Sequence, residues 1–109
     1  MTPIELVQGQ LNAYNDRDLD RFCQYFAQDI TVYDGRTGEV TMDGMDAFRE
    51  RYAEVFTLKD LHCTLVNRME HDDIIIDQES VVFRKEDPVV KAIAVYRVEN
   101  GIIQEVRFY

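Results

Sequence analysis

Few features of this chain point outward to membranes, metals or nucleic acid, and the shortages narrow what it can do. No uninterrupted apolar run approaches the length that crosses a membrane, and the opening Met1-Thr2-Pro3-Ile4-Glu5 has no basic region leading into an apolar stretch. A soluble, cytoplasmic protein is the expectation. Basic residues are scarce, 12 Lys and Arg against 21 Asp and Glu, and the formal charge of -9 repels nucleic acid and anionic membrane surfaces alike. Cysteine occurs twice, at Cys23 and Cys63, on different expected elements and in no close-spaced ligand or redox pattern, so both read as reduced thiols. His62-Cys63 and His71-Asp72-Asp73 do not suggest a metal site, because neighbours in a strand face opposite ways and no spaced partner completes a set. Repeats, linkers and low-complexity segments are also missing.

What is present is enough for one domain: 109 residues can bury a single core without metal or disulfide support. Ile4, Val7, Leu11 and Tyr14 recur at helical spacing, with Thr2 or Pro3 available to start the helix. Asp18 can cap a second, short helix from Leu19 to Phe26. Glu39 to Met42 is too brief to be more than an edge strand or loop, and Asp46 to Phe56 reads as a third helix with Met45, Phe48, Tyr52, Val55 and Phe56 near one stripe. The remaining half is rich in β-branched and aromatic residues. Its four runs, Leu61 to Met69, Ile74 to Lys85, Val89 to Val98 and Ile102 to Tyr109, are parted by turn-forming clusters such as Glu99-Asn100-Gly101. Three helices followed by an antiparallel meander predict an α+β fold with the helices on one face of a curved sheet.

Within Ala27 to Gly35 the alternation sets Asp34 on the same face as Ile30 and Val32. A carboxylate turned toward a core loses hydration and must find hydrogen bonds or hold its proton more tightly, which makes Asp34 a candidate site residue. Asp34-Gly35 is equally a turn dipeptide, and in that reading the side chain is solvated.

Three segments carry a resemblance: Leu11 to Asp20, Tyr25 to Asp34, and Gly44-Met45-Asp46-Ala47-Phe48-Arg49-Glu50-Arg51-Tyr52. Together with the order of elements they resemble the nuclear-transport-factor-two-like superfamily, in its ketosteroid-isomerase and SnoaL-like branch, over nearly the whole chain. The resemblance implies a cone in which the sheet curls around the helices to leave an apolar pocket, often with dimerisation through the outer sheet face. It implies no single activity, since isomerases, cyclases, dehydratases and noncatalytic binding modules share this fold.

Taken residue by residue, the resemblance puts Asp34 at the position of the ketosteroid-isomerase general base. The family's two oxyanion donors, a Tyr and a protonated Asp, correspond here to Gln10 and Ala94. A glutamine amide is a weaker acid than a phenol and alanine donates nothing; losing such a donor costs about 2.7 to 4 kcal/mol of transition-state stabilisation, so efficient steroid isomerisation is not expected. Tyr96, on the same strand face as Ala94, is the substitute donor, or else a core aromatic with its hydroxyl at the rim. Tyr14 and Tyr52 are the other hydroxyls expected to reach the cavity. For the last strand, alignment with the family turns Ile103, Glu105, Arg107 and Tyr109 inward, where Glu105 and Arg107 could anchor a ligand; the hydrophobic count turns Ile102, Gln104, Val106 and Phe108 inward instead.

The resulting expectation is a homodimer that takes a small, mostly apolar, carbonyl-bearing molecule into its cone without a cofactor. Asp34 is its acid or base, Gln10 and Tyr96 orient the carbonyl oxygen, and Tyr14, Tyr52, Glu105 and Arg107 bind the ligand. The alternative is a noncatalytic binding or protein-interaction module.

Overall fold

The chain opens with helix α1, Pro3–Asn15, started by a capping box: Thr2 Oγ1 accepts the Glu5 N–H at 3.2 Å while the Glu5 carboxylate accepts the Thr2 N–H at 2.9 Å. It buries Leu6, Val7, Leu11 and Ala13 along one stripe, each of the larger residues contributing about 1.5 to 3 kcal/mol by leaving water. The Asp18 side chain accepts the Arg21 N–H to cap α2, Leu19–Cys23. This helix ends three residues before the expected Phe26, because Phe26 already begins strand β1, Phe26–Asp34. The computed structural model describes residues 1–109 and continues with β2 (Val40–Asp43), α3 (Met45–Val55), β3 (His62–His71), β4 (Ile74–Val82), β5 (Val90–Glu99) and β6 (Ile102–Phe108).

The strands form one six-stranded mixed sheet in the order β2-β1-β6-β5-β4-β3. Only β1 and β6 pair in parallel; every other neighbouring pair is antiparallel, and the sheet does not close. Asn100 and Gly101, at φ 54° and 74°, make the tight turn between β5 and β6 in the left-handed conformation that Asn-Gly tolerates. The fold is thus α+β, with the helices packed against one face of the sheet. No helix is long and apolar enough to cross a membrane.

Two local devices position the helices. Asn15 makes paired hydrogen bonds with the Cys63 backbone, accepting its N–H at 2.8 Å and donating to its carbonyl at 2.9 Å, which fixes the end of α1 against β3. Gly9 lies so close to the Tyr25 ring that a Cβ there would come within 2.4 Å of it, so any larger residue would have to push the ring aside. The core between the layers is rich in aromatics. Phe22 is fully buried, with Phe26, Phe48, Tyr52 and Phe56 around it at ring separations of 4.9, 5.6, 4.8 and 5.2 Å.

A bulge decides which side of β6 faces the helices. The register against β5 shifts between Arg97 and Val98, so Ile103 is fully buried before the shift and Val106 after it. Neither uniform alternation expected from the sequence therefore holds along the whole strand.

Candidate active site

Between the helices and the sheet lies a cavity of about 350 Å³, walled mainly by apolar and aromatic side chains from every layer. Phe22, Phe48, Tyr52 and Val55 come from the helical side; Val81, Phe83, Val106 and Phe108 come from the strands and the segment after β4. Gln10, Tyr14, Cys63, Glu79 and Tyr96 supply its inner polar groups. Exposed Arg51, Val90, Lys91 and Tyr109 mark its opening.

Glu79 is the acid of this cavity. On β4 the residues Ile75, Asp77, Glu79 and Val81 alternate toward the helices and are all buried. The two acids have different surroundings. Asp77 is held by a bidentate guanidinium, with Arg68 Nε and Nη2 at 2.7 and 2.9 Å from its two oxygens, and Arg68 is itself oriented by Gln8 at 2.9 Å. Glu79, 7% exposed, forms no ion pair. Burial, and then the like charge of Asp77, push its carboxyl up to about 7, against the smaller opposing influence of the Cys63 thiol and Arg68. A carboxyl held there can accept and return a proton near neutral pH.

The nearby phenols keep their protons and can donate them in hydrogen bonds. Burial raises the Tyr14, Tyr52 and Tyr96 phenols far above their ordinary range, and the carboxylate of Glu79 adds to the shift in each, so all three stay protonated. Tyr96 is oriented by Gln10, whose Nε2 donates to the Tyr96 hydroxyl at 3.1 Å and to the Val7 carbonyl at 3.0 Å. That carbonyl can only accept, so it sets the amide's orientation, and both amide protons are engaged. Gln10 therefore acts on the cavity through Tyr96. The phenol accepts from Gln10, donates to no protein group and has its own proton available for a ligand oxygen.

Asp34 is placed differently from the sequence-based expectation of an acid in the pocket. Its neighbours Ile30 and Val32 are buried, but β1 ends at Asp34, beyond the cavity wall. One carboxylate oxygen accepts the backbone N–H groups of Arg36 and Thr37 at 2.8 and 3.2 Å, the geometry of an Asx turn. The half-buried side chain lies instead in a neighbouring open groove with Glu50, Arg51 and Glu54. Glu105 and Arg107 also fall outside the cavity. On the opposite face of the sheet, Glu105 bridges Arg97 and Arg107 at 3.0 and 2.8 Å, and the Arg107 guanidinium stacks 4.1 Å over the Tyr33 ring. This corrects the inward orientation that family alignment implies for those two residues: the β6 bulge changes the facing side before them. Gln10, Tyr14, Tyr52 and Tyr96 do come together on the cavity, as do Ile103's downstream neighbours Val106 and Phe108.

Glu79 carries a signal readable in the sequence, though one that does not single it out above Asp34. The alternation that singles out Asp34 beside Ile30 and Val32 equally sets Asp77 and Glu79 between Ile75 and Val81.

A family model for the SnoaL-like domain matches residues 7–106. The chain belongs to the SnoaL-like domain family. No curated protein matches it in sequence. Among solved structures it is similar to an uncharacterised cystatin-fold protein from Novosphingobium aromaticivorans, with 22% identity, a TM-score of 0.89, and coverage of 100% of this chain and 98% of that one. A protein of ketosteroid isomerase-like fold from Catenulispora acidiphila, solved in complex with trimethylamine, shares 20% identity at a TM-score of 0.76, covering 100% and 86%. A candidate polyketide cyclase from Sinorhizobium meliloti shares 16% identity at a TM-score of 0.82, covering both chains completely at 100%. At these identities the likeness establishes the SnoaL-like, ketosteroid isomerase-like fold, while the chemistry rests on this chain's own residues.

Proposed function

We propose that this SnoaL-like protein binds a small, mostly apolar, carbonyl-bearing molecule in its cavity and moves a proton on it, with Glu79 rather than Asp34 as the acid and base. One observation carries the reading: a buried carboxyl without an ion pair faces an aromatic cavity, and its surroundings hold it near neutrality. In the step, the Glu79 carboxylate takes a proton from the carbon beside the carbonyl. The C–H electron pair passes into the conjugated system, charge develops on the carbonyl oxygen, and the Tyr96 hydroxyl donates a hydrogen bond to it. Return of the same proton to another carbon completes an isomerisation with no net oxidation. Tyr14 and Tyr52 supply further wall hydroxyls, and Gln10 positions Tyr96.

The test is hydrogen–deuterium exchange at the α-carbon of a panel of cyclic and aryl ketones, followed by NMR, for wild type and Glu79→Gln. Exchange above the buffer rate that disappears in the variant supports proton transfer. Binding without exchange would leave a noncatalytic ligand-binding module.

The outer sheet face suits assembly with a second copy. Cross-strand register aligns Tyr33, Arg107, Val95, Ile76 and Met69 into one row, and Met69 is 57% exposed. Sedimentation velocity of wild type and Met69→Glu tests this, with a dimer that the charge dissociates as the expected result.

A further inference from the structure

We infer that the ligand carries a carboxylate or comparable anionic group, held at the cavity opening by Arg51 and Lys91. This deepens the reading of the cavity as a small-molecule site and rests on it.

Cations are scarce in this chain, 12 against 21 acids; Arg21, Arg49, Arg68, Arg84, Arg97 and Arg107 are engaged with carboxylates, and of the six without an ion pair Arg17, Arg36, Lys59 and Lys85 lie away from the cavity lining. Arg51 and Lys91 form no ion pair, and both line the cavity. They arrive from opposite layers, Arg51 from α3 and Lys91 from β5, and both are exposed. The groove beside Arg51 also contains Asp34, Glu50 and Glu54, yet none of these acids comes within ion-pairing distance of it.

The charged residues on the cavity lining are therefore two cations, Arg51 and Lys91, and one acid, in a molecule where acids predominate. The net charge of -9 disfavours anions over the surface as a whole, while the opening presents two unpaired cations. The one acid on the lining, Glu79, lies buried among the inner polar groups. An apolar molecule with an anionic head would place that head between Arg51 and Lys91, run its body past Val55, Phe83 and Phe108, and bring an inner carbonyl toward Tyr96 and Glu79. The substrate class that fits is a small apolar oxo-acid.

Phenylacetate and its neutral counterpart phenylacetamide share one apolar body and separate charge from shape. Their affinities would be measured by NMR titration at about pH 8, where phenylacetate is ionised. The expected result is about tenfold tighter binding of the acid at low salt, a preference that shrinks in high salt. In the Arg51→Gln, Lys91→Gln double variant, whose substituted side chains are exposed, acid and amide should bind alike. Equal affinities in wild type, or a preference surviving the double variant, would overturn the anion inference and leave the cavity reading standing. Failure of both probes to bind would overturn both.

Discussion

Asp34 and Glu79 are both strand acids whose alternation with apolar neighbours turns them inward, yet they meet opposite surroundings. Asp34 ends its strand, and the chain bends back so that the N–H groups of Arg36 and Thr37 satisfy its carboxylate. Glu79 sits mid-strand on β4, with β3 and β5 on either side and aromatic side chains across the cavity. The first acid is a turn anchor with local hydrogen bonds. The second lacks an ion pair, so burial raises its carboxyl until the protonated and ionised forms are close in free energy near neutrality. A candidate acid or base is thus distinguished by what surrounds its carboxylate in three dimensions more than by the face its strand position selects.

The sharpest way to break this contrast is kinetic. If Glu79 is the acid and base, Glu79→Gln should slow α-proton exchange by about 10² to 10⁴-fold, whereas Asp34→Asn should leave it within a few-fold of wild type. Exchange assays on the two variants side by side check this, and the reverse ranking would return the role to Asp34.

The next effect concerns Asp77, the acid on the same face that does have a partner. Arg68→Leu would leave Asp77 buried without its guanidinium, and urea denaturation should show a loss of about 3 to 5 kcal/mol. A loss below about 1 kcal/mol would mean that the buried pair contributes no more than a surface one.

A third test uses pH. The folded-state carboxyl of Glu79 is raised from 4.5 to about 7, so between these values the folded chain holds the proton that the unfolded chain has released. Its contribution to stability is fully present below 4.5, declines as pH rises and is lost above about 7. Glu79→Gln removes that dependence. The stability of the variant relative to wild type should therefore rise by roughly 3 kcal/mol between acid and mildly alkaline pH, measured by denaturation across the range. A constant difference would show that the carboxyl is not raised.

The smallest effect belongs to Asp34. Asp34→Ala removes one acceptor shared by two backbone N–H groups at a half-buried turn, and thermal unfolding should report about 1 kcal/mol of destabilisation with the cavity's ligand affinity unchanged.

Much of the fold was legible from local pattern. The capping box at Thr2 and Glu5, the cap at Asp18, the apolar stripe of α3 and the Asn100-Gly101 turn are short-range signals, and each lies where the chain changes element or faces the sheet. The site was only partly legible. Tyr14, Tyr52, Tyr96 and Gln10 follow from helical and strand spacing combined with the family resemblance, and all reach the cavity. The displaced residues have two separate causes: Glu105 and Arg107 depend on the β6 bulge, and Asp34 depends on where β1 stops relative to the cavity wall.

By itself, then, the amino-acid sequence determined an α+β chain of the SnoaL-like family, its element order, its acidic surface and the residue types able to donate or move a proton. Periodicity, capping and turn chemistry act over a few residues and can be read directly along the chain. Only the tertiary structure decided that Glu79 remains buried without an ion pair, that Gln10 serves Tyr96, and that Arg51 and Lys91 line one cavity. Those facts depend on desolvation and on contacts between residues far apart in sequence, and neither exists until the helices pack against the sheet.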